Sequence, residues 1–288
     1  MGVRPPDTWP SLNRLAPMMN SGTKKDRWIG ANSYDLFMGR WSRELGRAFV
    51  LWLAVPPERH WLEVGCGTGA LTSRISELCS PSSVVATDPS EQFLAHARAS
   101  IPDQRVEFIV AGVEHLPVRP NAYDAVVSSL VLNFLPNPAV ALGEMRALTA
   151  KDGIVGACVW DYADGMQFLR RFWDAAVALD LAASEYDEGD RFPICSPPGL
   201  ESVFRQAGFS RVDVEALEIP THFRDFDDYW QPFIDGPGPA PGYLSSLPTD
   251  KQRELARRLQ TTLPRQDDGS IQLTARAWAA RAHGGGAA

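Results

Sequence analysis

Cysteine is scarce and poorly placed for chemistry. Cys66, Cys79, Cys158 and Cys195 are scattered through 288 residues with no C-x-x-C pair among them. A disulfide framework or a structural metal centre needs cysteines clustered at short spacings, so neither is expected and no metal is assigned. Long apolar runs are missing too. None approaches the roughly 18 residues needed to span a bilayer, and residues 1–20 are rich in proline and polar side chains, without the continuous apolar stretch of a signal peptide. A cytoplasmic protein with no membrane association is the resulting expectation. Positive charge is in deficit: 28 Lys and Arg against 35 Asp and Glu leave a net charge of −7. Nucleic acids usually demand a basic face and are not the expected partner. No Gly-Lys-Ser/Thr follows a glycine turn, which excludes a P-loop. Internal repeats are absent.

What is present is ample apolar material, 44% of the chain, organised around Trp61-Leu62-Glu63-Val64-Gly65-Cys66-Gly67-Thr68-Gly69-Ala70-Leu71-Thr72. It reads as a buried strand, a glycine turn and a helix. Gly65, Gly67 and Gly69 can take φ values closed to residues with a Cβ, and their bare backbone lets a ligand lie over the start of the next helix. A second strand, Val84-Val85-Ala86-Thr87, ends in Asp88. An acidic residue about 20 positions past such a turn is placed to accept hydrogen bonds from ribose hydroxyls. Serving as a helix N-cap is its alternative role. The two features describe a nucleoside site at the carboxyl edge of a parallel sheet. The glycines at 65, 67 and 69 miss the G-x-G-x-x-G dinucleotide spacing, which counts against a nicotinamide or nucleotide-sugar enzyme.

The Glu63-x-Gly65-x-Gly67-x-Gly69 pattern resembles motif I of the class I S-adenosylmethionine-dependent methyltransferases. Asp88-Pro89-Ser90 resembles the family's ribose turn, and Glu114-x-Leu116-Pro117-Val118 its adenine-side loop. Tyr123-Asp124-Ala125-Val126-Val127-Ser128-Ser129 resembles its fourth strand and Gly208-Phe209 a late turn. The resemblance implies S-adenosylmethionine as cofactor. It assigns the methionine amine to Glu63, backbone contact to Gly65 and Gly67 with Cys66 inside the loop, and the ribose to Asp88 and Pro89. The adenine falls to Gly112, Val113 and Glu114, and the methionine moiety borders Ser128. Many members carry Asp where this chain has Gly112, so adenine recognition passes to backbone groups, Glu114 or His115. Tyr34-Asp35-x-x-Met38-Gly39-Arg40-Trp41-Ser42 resembles a pre-motif segment of small-molecule members. There Tyr34 and Arg40 border the cofactor, Arg40 through its carboxylate. A core role for Tyr34 and a solvated one for Arg40 are the alternatives.

Strand and helix patterns alternate, as in a doubly wound sheet. The expected strands are 61–64, 84–88, 105–110, 124–128, 154–160, 211–219 and 271–278, with helices at about 69–79, 90–99 and 138–149. Lys151-Asp152-Gly153 reads as a turn. The resemblance implies a seven-stranded α/β Rossmann-like sheet whose last strand slots in antiparallel between the fifth and sixth. The chain divides into a flexible leader (1–27), helices over the cofactor (28–56), the core (57–162), a helical cap insertion (163–200), a core helix and strand (201–220), a second cap insertion (221–268), the final strand (269–283) and a disordered tail (284–288). Residues 236–242, rich in Pro and Gly, suggest a mobile lid, with a plain surface connector as the alternative.

Methyl transfer from a sulfonium needs mostly proximity and orientation, with a base only where the acceptor must lose a proton. His222 and Tyr34 are the candidate catalytic residues. The segment Ser128-Ser129-Leu130-Val131-Leu132-Asn133-Phe134 lacks the Asn/Asp-Pro-Pro-aromatic run of base-modifying relatives and favours a small, fairly hydrophobic acceptor. The expected activity is methyl transfer to its O, C or N. A protein that binds the cofactor without transferring methyl is the alternative, and a homodimer is compatible with the sequence.

Overall fold

A computed structural model describes residues 38–117, 122–189, 191–236 and 238–283. Tyr34, Val118, the leader and the tail lie outside the described residues.

Seven strands form one sheet: β1 (His60–Val64), β2 (Ser83–Asp88), β3 (Val106–Val110), β4 (Tyr123–Ser129), β5 (Thr149–Trp160), β6 (Asp213–Phe223) and β7 (Ile271–His283). Their spatial order is β3-β2-β1-β4-β5-β7-β6. β1 to β5 pair in parallel, and β7 runs antiparallel to both β5 and β6. The seven-stranded Rossmann-like expectation holds, including the antiparallel insertion of the last strand. β1 and β4 are the most buried strands, with Trp61, Leu62, Ala125, Val126 and Val127 at 0% exposure. Covering helices on both faces explain their unbroken apolar runs.

The helices are α1 (Arg40–Leu53), α2 (Ala70–Leu78), α3 (Glu91–Ser100), α4 (Pro138–Leu148), α5 (Gln167–Leu179), α6 (Pro197–Gln206), α7 (Phe226–Asp235), α8 (Pro239–Ser246) and α9 (Thr249–Thr262). Several starts have a local cause. Ser90 and Asn137 cap α3 and α4 through side-chain oxygens that accept from Phe93 and Val140 amides, and Pro138 occupies the first turn where a missing N–H costs nothing. α1 buries Leu45, Phe49 and Leu53 and packs on α2, β6 and β7.

Three expectations change. Lys151, Asp152 and Gly153 are not a turn between elements but belong to β5. Tyr123 pairs with Thr149 and Ala125 with Ile154, so the extra residues form a bulge, and a Cβ on Gly153 would sit 2.7 Å from the Asp124 carbonyl. The strand before the second insertion runs on through Phe223, lifting β6 and β7 beyond the carboxyl ends of β4 and β5. Residues 239–242 are not a loop: they begin α8, where Pro239, Ala240 and Pro241 are buried and the helix packs against α7.

Candidate active site

The carboxyl ends of β1, β2 and β4 converge on the glycine turn. Gly65, Gly67 and Gly69 have φ of +76°, +54° and +89°, values that a side chain strains. Their surroundings differ. A Cβ on Gly65 would meet Val131 at 2.6 Å, and one on Gly69 would meet Ile101 at 2.6 Å. Those two glycines let neighbouring elements pack close. A Cβ on Gly67 would meet nothing within 4 Å, so its bare backbone faces space that a ligand can fill.

Asp88 closes the turn. Its Oδ2 accepts the Gly67 amide at 3.0 Å and its Oδ1 the Ser90 amide at 2.8 Å. A carboxylate offers about four lone-pair directions, so each oxygen retains capacity for a ribose hydroxyl. Burial raises the Asp88 pKa, and the Ser90 and Gly67 amides oppose that rise. The cap of α3 is Ser90 rather than Asp88. The Thr87 carbonyl accepts both the Gly65 and Cys66 amides at 2.8 Å, binding the first turn to the second strand. Pro89 is exposed beside it.

Glu63 lies beneath, 1% exposed, its Oε2 accepting from Thr72 Oγ1 at 2.6 Å. Burial raises its pKa to about 7 against the pull of the Thr72 hydroxyl, with the Asp88 charge adding to the rise. A buried carboxyl of this kind is suited to meet a ligand cation, which removes the cost of ionising it. Burial, Glu63 and Asp88 also push the Cys66 thiol far up, and it stays protonated, against any reading of it as a reactive nucleophile. Ser128 is fully buried and donates its hydroxyl to the Val64 carbonyl at 2.9 Å, locking the end of β4 to the end of β1. Beyond Ser129, Leu130 takes φ +63°. For a bulky residue this is strained geometry of the kind that collects at functional sites, and it turns Val131 onto Gly65.

On the adenine side the Ala111 amide donates to the Asp88 carbonyl at 3.2 Å, and Gly112, Val113 and Glu114 lead into a short helical turn. Glu114 Oε2 lies 3.1 Å from where a Cβ on Gly112 would stand. Of the alternatives named for the missing carboxyl at 112, Glu114 thus has its carboxyl beside that position.

Two other candidates lie on α1 and β6. Arg40 is held at β6 and the cap, donating through Nη1 to both carboxylate oxygens of Asp228 at 3.3 and 3.2 Å and stacking over Trp41 and Phe223 at 4.3 and 4.7 Å. Its other donors, Nε and Nη2, are buried with no hydrogen-bond partner among the described residues, and the same helix lies against Ala70 at the end of the glycine turn through Gly46. His222 pairs with Gln272 on the edge strand and is exposed between the buried Thr221 and Phe223. Strand alternation turns it to the outer face, away from the site.

The structure adds residues the sequence did not single out. Asp161, just past β5 and 3% exposed, receives Arg276 Nη2 at 2.6 Å and Nε at 2.7 Å, tying the first insertion to β7. In that insertion Glu188 is 5% exposed, accepts from Trp173 Nε1, and has its pKa raised to about 7 chiefly by burial. Phe192 bridges the tips of β4 and β5, with ring centroids 5.6 Å from Phe134 and 5.5 Å from Tyr162. Among the described residues no group of His, Cys, Asp and Glu is arranged to hold a metal, and no helix is long and apolar enough to cross a membrane.

Comparison with known proteins gives this geometry a family. A family model described as "Methyltransferase domain" matches residues 62–157. A malonyl-[acyl-carrier protein] O-methyltransferase of Geobacter sulfurreducens is 32% identical over 189 residues, covering 64% of this chain and 68% of that protein. Its namesake in Hahella chejuensis is 26% identical over 201 residues, 66% of this chain and 67% of that protein. Among solved structures, a putative methyltransferase from Bacillus halodurans has a TM-score of 0.54 at 17% identity, covering 84% of this chain and 99% of its own. A Haemonchus contortus phosphoethanolamine N-methyltransferase in complex with S-adenosyl-L-methionine has a TM-score of 0.55 at 14% identity, covering 89% and 57%. S-adenosylmethionine is the cofactor, and the chain belongs to the class I S-adenosylmethionine-dependent methyltransferases.

Proposed function

We propose that the acceptor is a small organic molecule with a largely apolar body, methylated on O, C or N between the tips of β4 and β5 and the helical insertions. The observation that carries this reading is the lining of that edge. Leu132 is buried, and Phe134, 41% exposed, packs on Phe192, whose ring also meets Tyr162. An apolar edge of this kind suits a small apolar ligand better than a polyanion.

When bound, S-adenosylmethionine supplies a methyl group on an excellent leaving group. The chain's own residues supply placement. Glu63 orients the cofactor's ammonium, Asp88 takes ribose hydroxyls with the lone pairs left by Gly67 and Ser90, and Glu114 reads the adenine amino group in place of a residue at 112. Ser128 and Leu130 hold β4's exit so that Val131 backs the glycine turn. Acceptors that are already nucleophilic need no enzymic base, and for the others the buried Glu188 carboxyl of the first insertion, its pKa raised to about 7 by burial, is in the range of a general base.

The test is transfer of radiolabelled methyl to a panel of small organic acids, β-keto compounds, phenols and amines, beside transfer RNA and bulk protein. Label recovered in a small molecule supports the proposal. Label recovered only in macromolecules contradicts it.

A further inference from the structure

The inference drawn here rests on the methyltransferase reading and deepens it by naming what the acceptor must carry. Two side-chain donors, Trp160 Nε1 and Asn133 Nδ2, are shut off from solvent and have no hydrogen-bond partner among the described residues. Trp160 is 2% exposed and ends β5. Asn133 lies in the helical turn Leu132–Phe134 that follows β4. The two strand ends are joined: Ser129 pairs with Cys158, and the Leu130 amide donates to the Cys158 carbonyl at 2.8 Å. The turn itself packs on β5. One residue beyond Asn133 and two beyond Trp160, Phe134 and Tyr162 meet the same Phe192 ring. Both donors therefore belong to the edge where the acceptor is proposed to meet the methyl group, next to Val131 and the glycine turn.

Buried N–H groups without an acceptor are rare in folded proteins, and each asks for an explanation. An orphan donor alone is not a site. Trp61 Nε1 is in the same condition at the amino end of β1, away from any ligand edge. What distinguishes Trp160 and Asn133 is that two such groups, from two elements, lie at the joined carboxyl ends of β4 and β5. An indole can only donate, and the free Asn133 atom is an amide N–H. A protonated amine has no lone pair to offer them. A carboxylate, enolate or ketone oxygen has two.

We propose that Trp160 and Asn133 bind an oxygen of the acceptor, so that the substrate class is an acyl compound bearing a carboxylate or β-keto oxygen rather than an amine. A carboxylate oxygen is itself nucleophilic, and a β-keto compound becomes so at its enolate carbon after loss of a proton to a weak base.

Calorimetric titration of the S-adenosylhomocysteine-loaded protein with three N-acetylcysteamine thioesters tests it: malonyl, 3-oxobutanoyl and butanoyl, the last lacking any oxygen on its third carbon. The oxygenated pair is expected to bind at least tenfold more tightly than butanoyl. Trp160→Phe and Asn133→Leu, which keep ring and volume, are each expected to erase tenfold to a hundredfold of that preference. S-adenosylhomocysteine affinity should stay unchanged in both variants. Equal binding of all three thioesters, binding of none, or a preference that survives both substitutions overturns the proposal. Failure to bind S-adenosylhomocysteine at all would instead undo the cofactor reading beneath it, and that titration is run first.

Discussion

Asp88 Oδ2 accepts the amide proton of Gly67 at 3.0 Å across a separation of 21 residues. The tip of the second strand thereby fixes the one glycine of the turn whose Cβ position is open. The carboxylate shapes the turn, and in the proposed function its remaining lone pairs take the ribose, so one group would combine support and recognition. Removing it should cost both functions, and separating them requires substitutions in the glycines.

Ala at 65, 67 and 69 should give different phenotypes. All three positions carry positive φ, costing roughly 1–2 kcal/mol for a residue with a Cβ. Gly65→Ala adds a collision at 2.6 Å with the branched Val131 and should lower the denaturation midpoint markedly, while Gly69→Ala, which meets the movable end of Ile101 at 2.6 Å and Ala97 at 3.3 Å, should lower it less. Gly67→Ala should lose little stability beyond the φ cost, yet weaken S-adenosylmethionine binding by tenfold or more. Thermal melts and titrations on the three variants check this. Equal destabilisation with equal loss of binding would contradict it.

Glu63 and Glu188 predict how stability changes with pH. Both pKa values stand at about 7, raised from 4.5 chiefly by burial. The folded state therefore holds more protons than the unfolded state between those values, and stability falls as pH rises through that window. The cofactor-free protein should melt several degrees lower at pH 8 than at pH 5.5, and Glu63→Gln with Glu188→Gln should flatten the slope.

The same carboxyl gives the opposite sign in binding. If ionised Glu63 meets the cofactor's ammonium, affinity for S-adenosylmethionine should rise with pH below about 7, by at most tenfold per unit for one proton, and level off above it. Glu63→Gln should bind weakly at every pH, with that slope gone.

Arg40 and Asp228 should behave as a structural couple. Double-mutant analysis with Arg40→Gln and Asp228→Asn, read by denaturant unfolding, should give a coupling of about 0.5–2 kcal/mol, since the pair is half-buried and stacked on Trp41 and Phe223. Zero coupling would mean that α1 and the cap are held by packing alone.

The cofactor half of the molecule was legible because its signals are local. Positive φ at Gly65, Gly67 and Gly69, an apolar β1 and a terminal Asp88 all fall within one βαβ unit. The cap was harder, since its contacts are distant in sequence. Arg40 meets Asp228 across 188 residues, and Glu188 is buried by Trp173 on a preceding helix. Pro239 and Pro241 read as loop residues, but prolines fit the first helical turn, and α7 supplies the burial. One signal was overlooked. Period-two alternation through Leu217, Ile219, Thr221 and Phe223 extends β6 and turns His222 outward. The charged bulge at Lys151 and Asp152 gave no such sign, because its pairing depends on β4.

The most direct test of the central claim is calorimetric titration of the wild type and Asp88→Ala with S-adenosylmethionine and S-adenosylhomocysteine. If Asp88 and the glycine turn hold the ribose, both ligands should bind the wild type in the micromolar range. Asp88→Ala, still folded by circular dichroism, should bind them about 30-fold to several hundredfold more weakly, the loss expected for one or two charge-assisted hydrogen bonds. A folded Asp88→Ala protein that binds both ligands as tightly as the wild type would contradict the account.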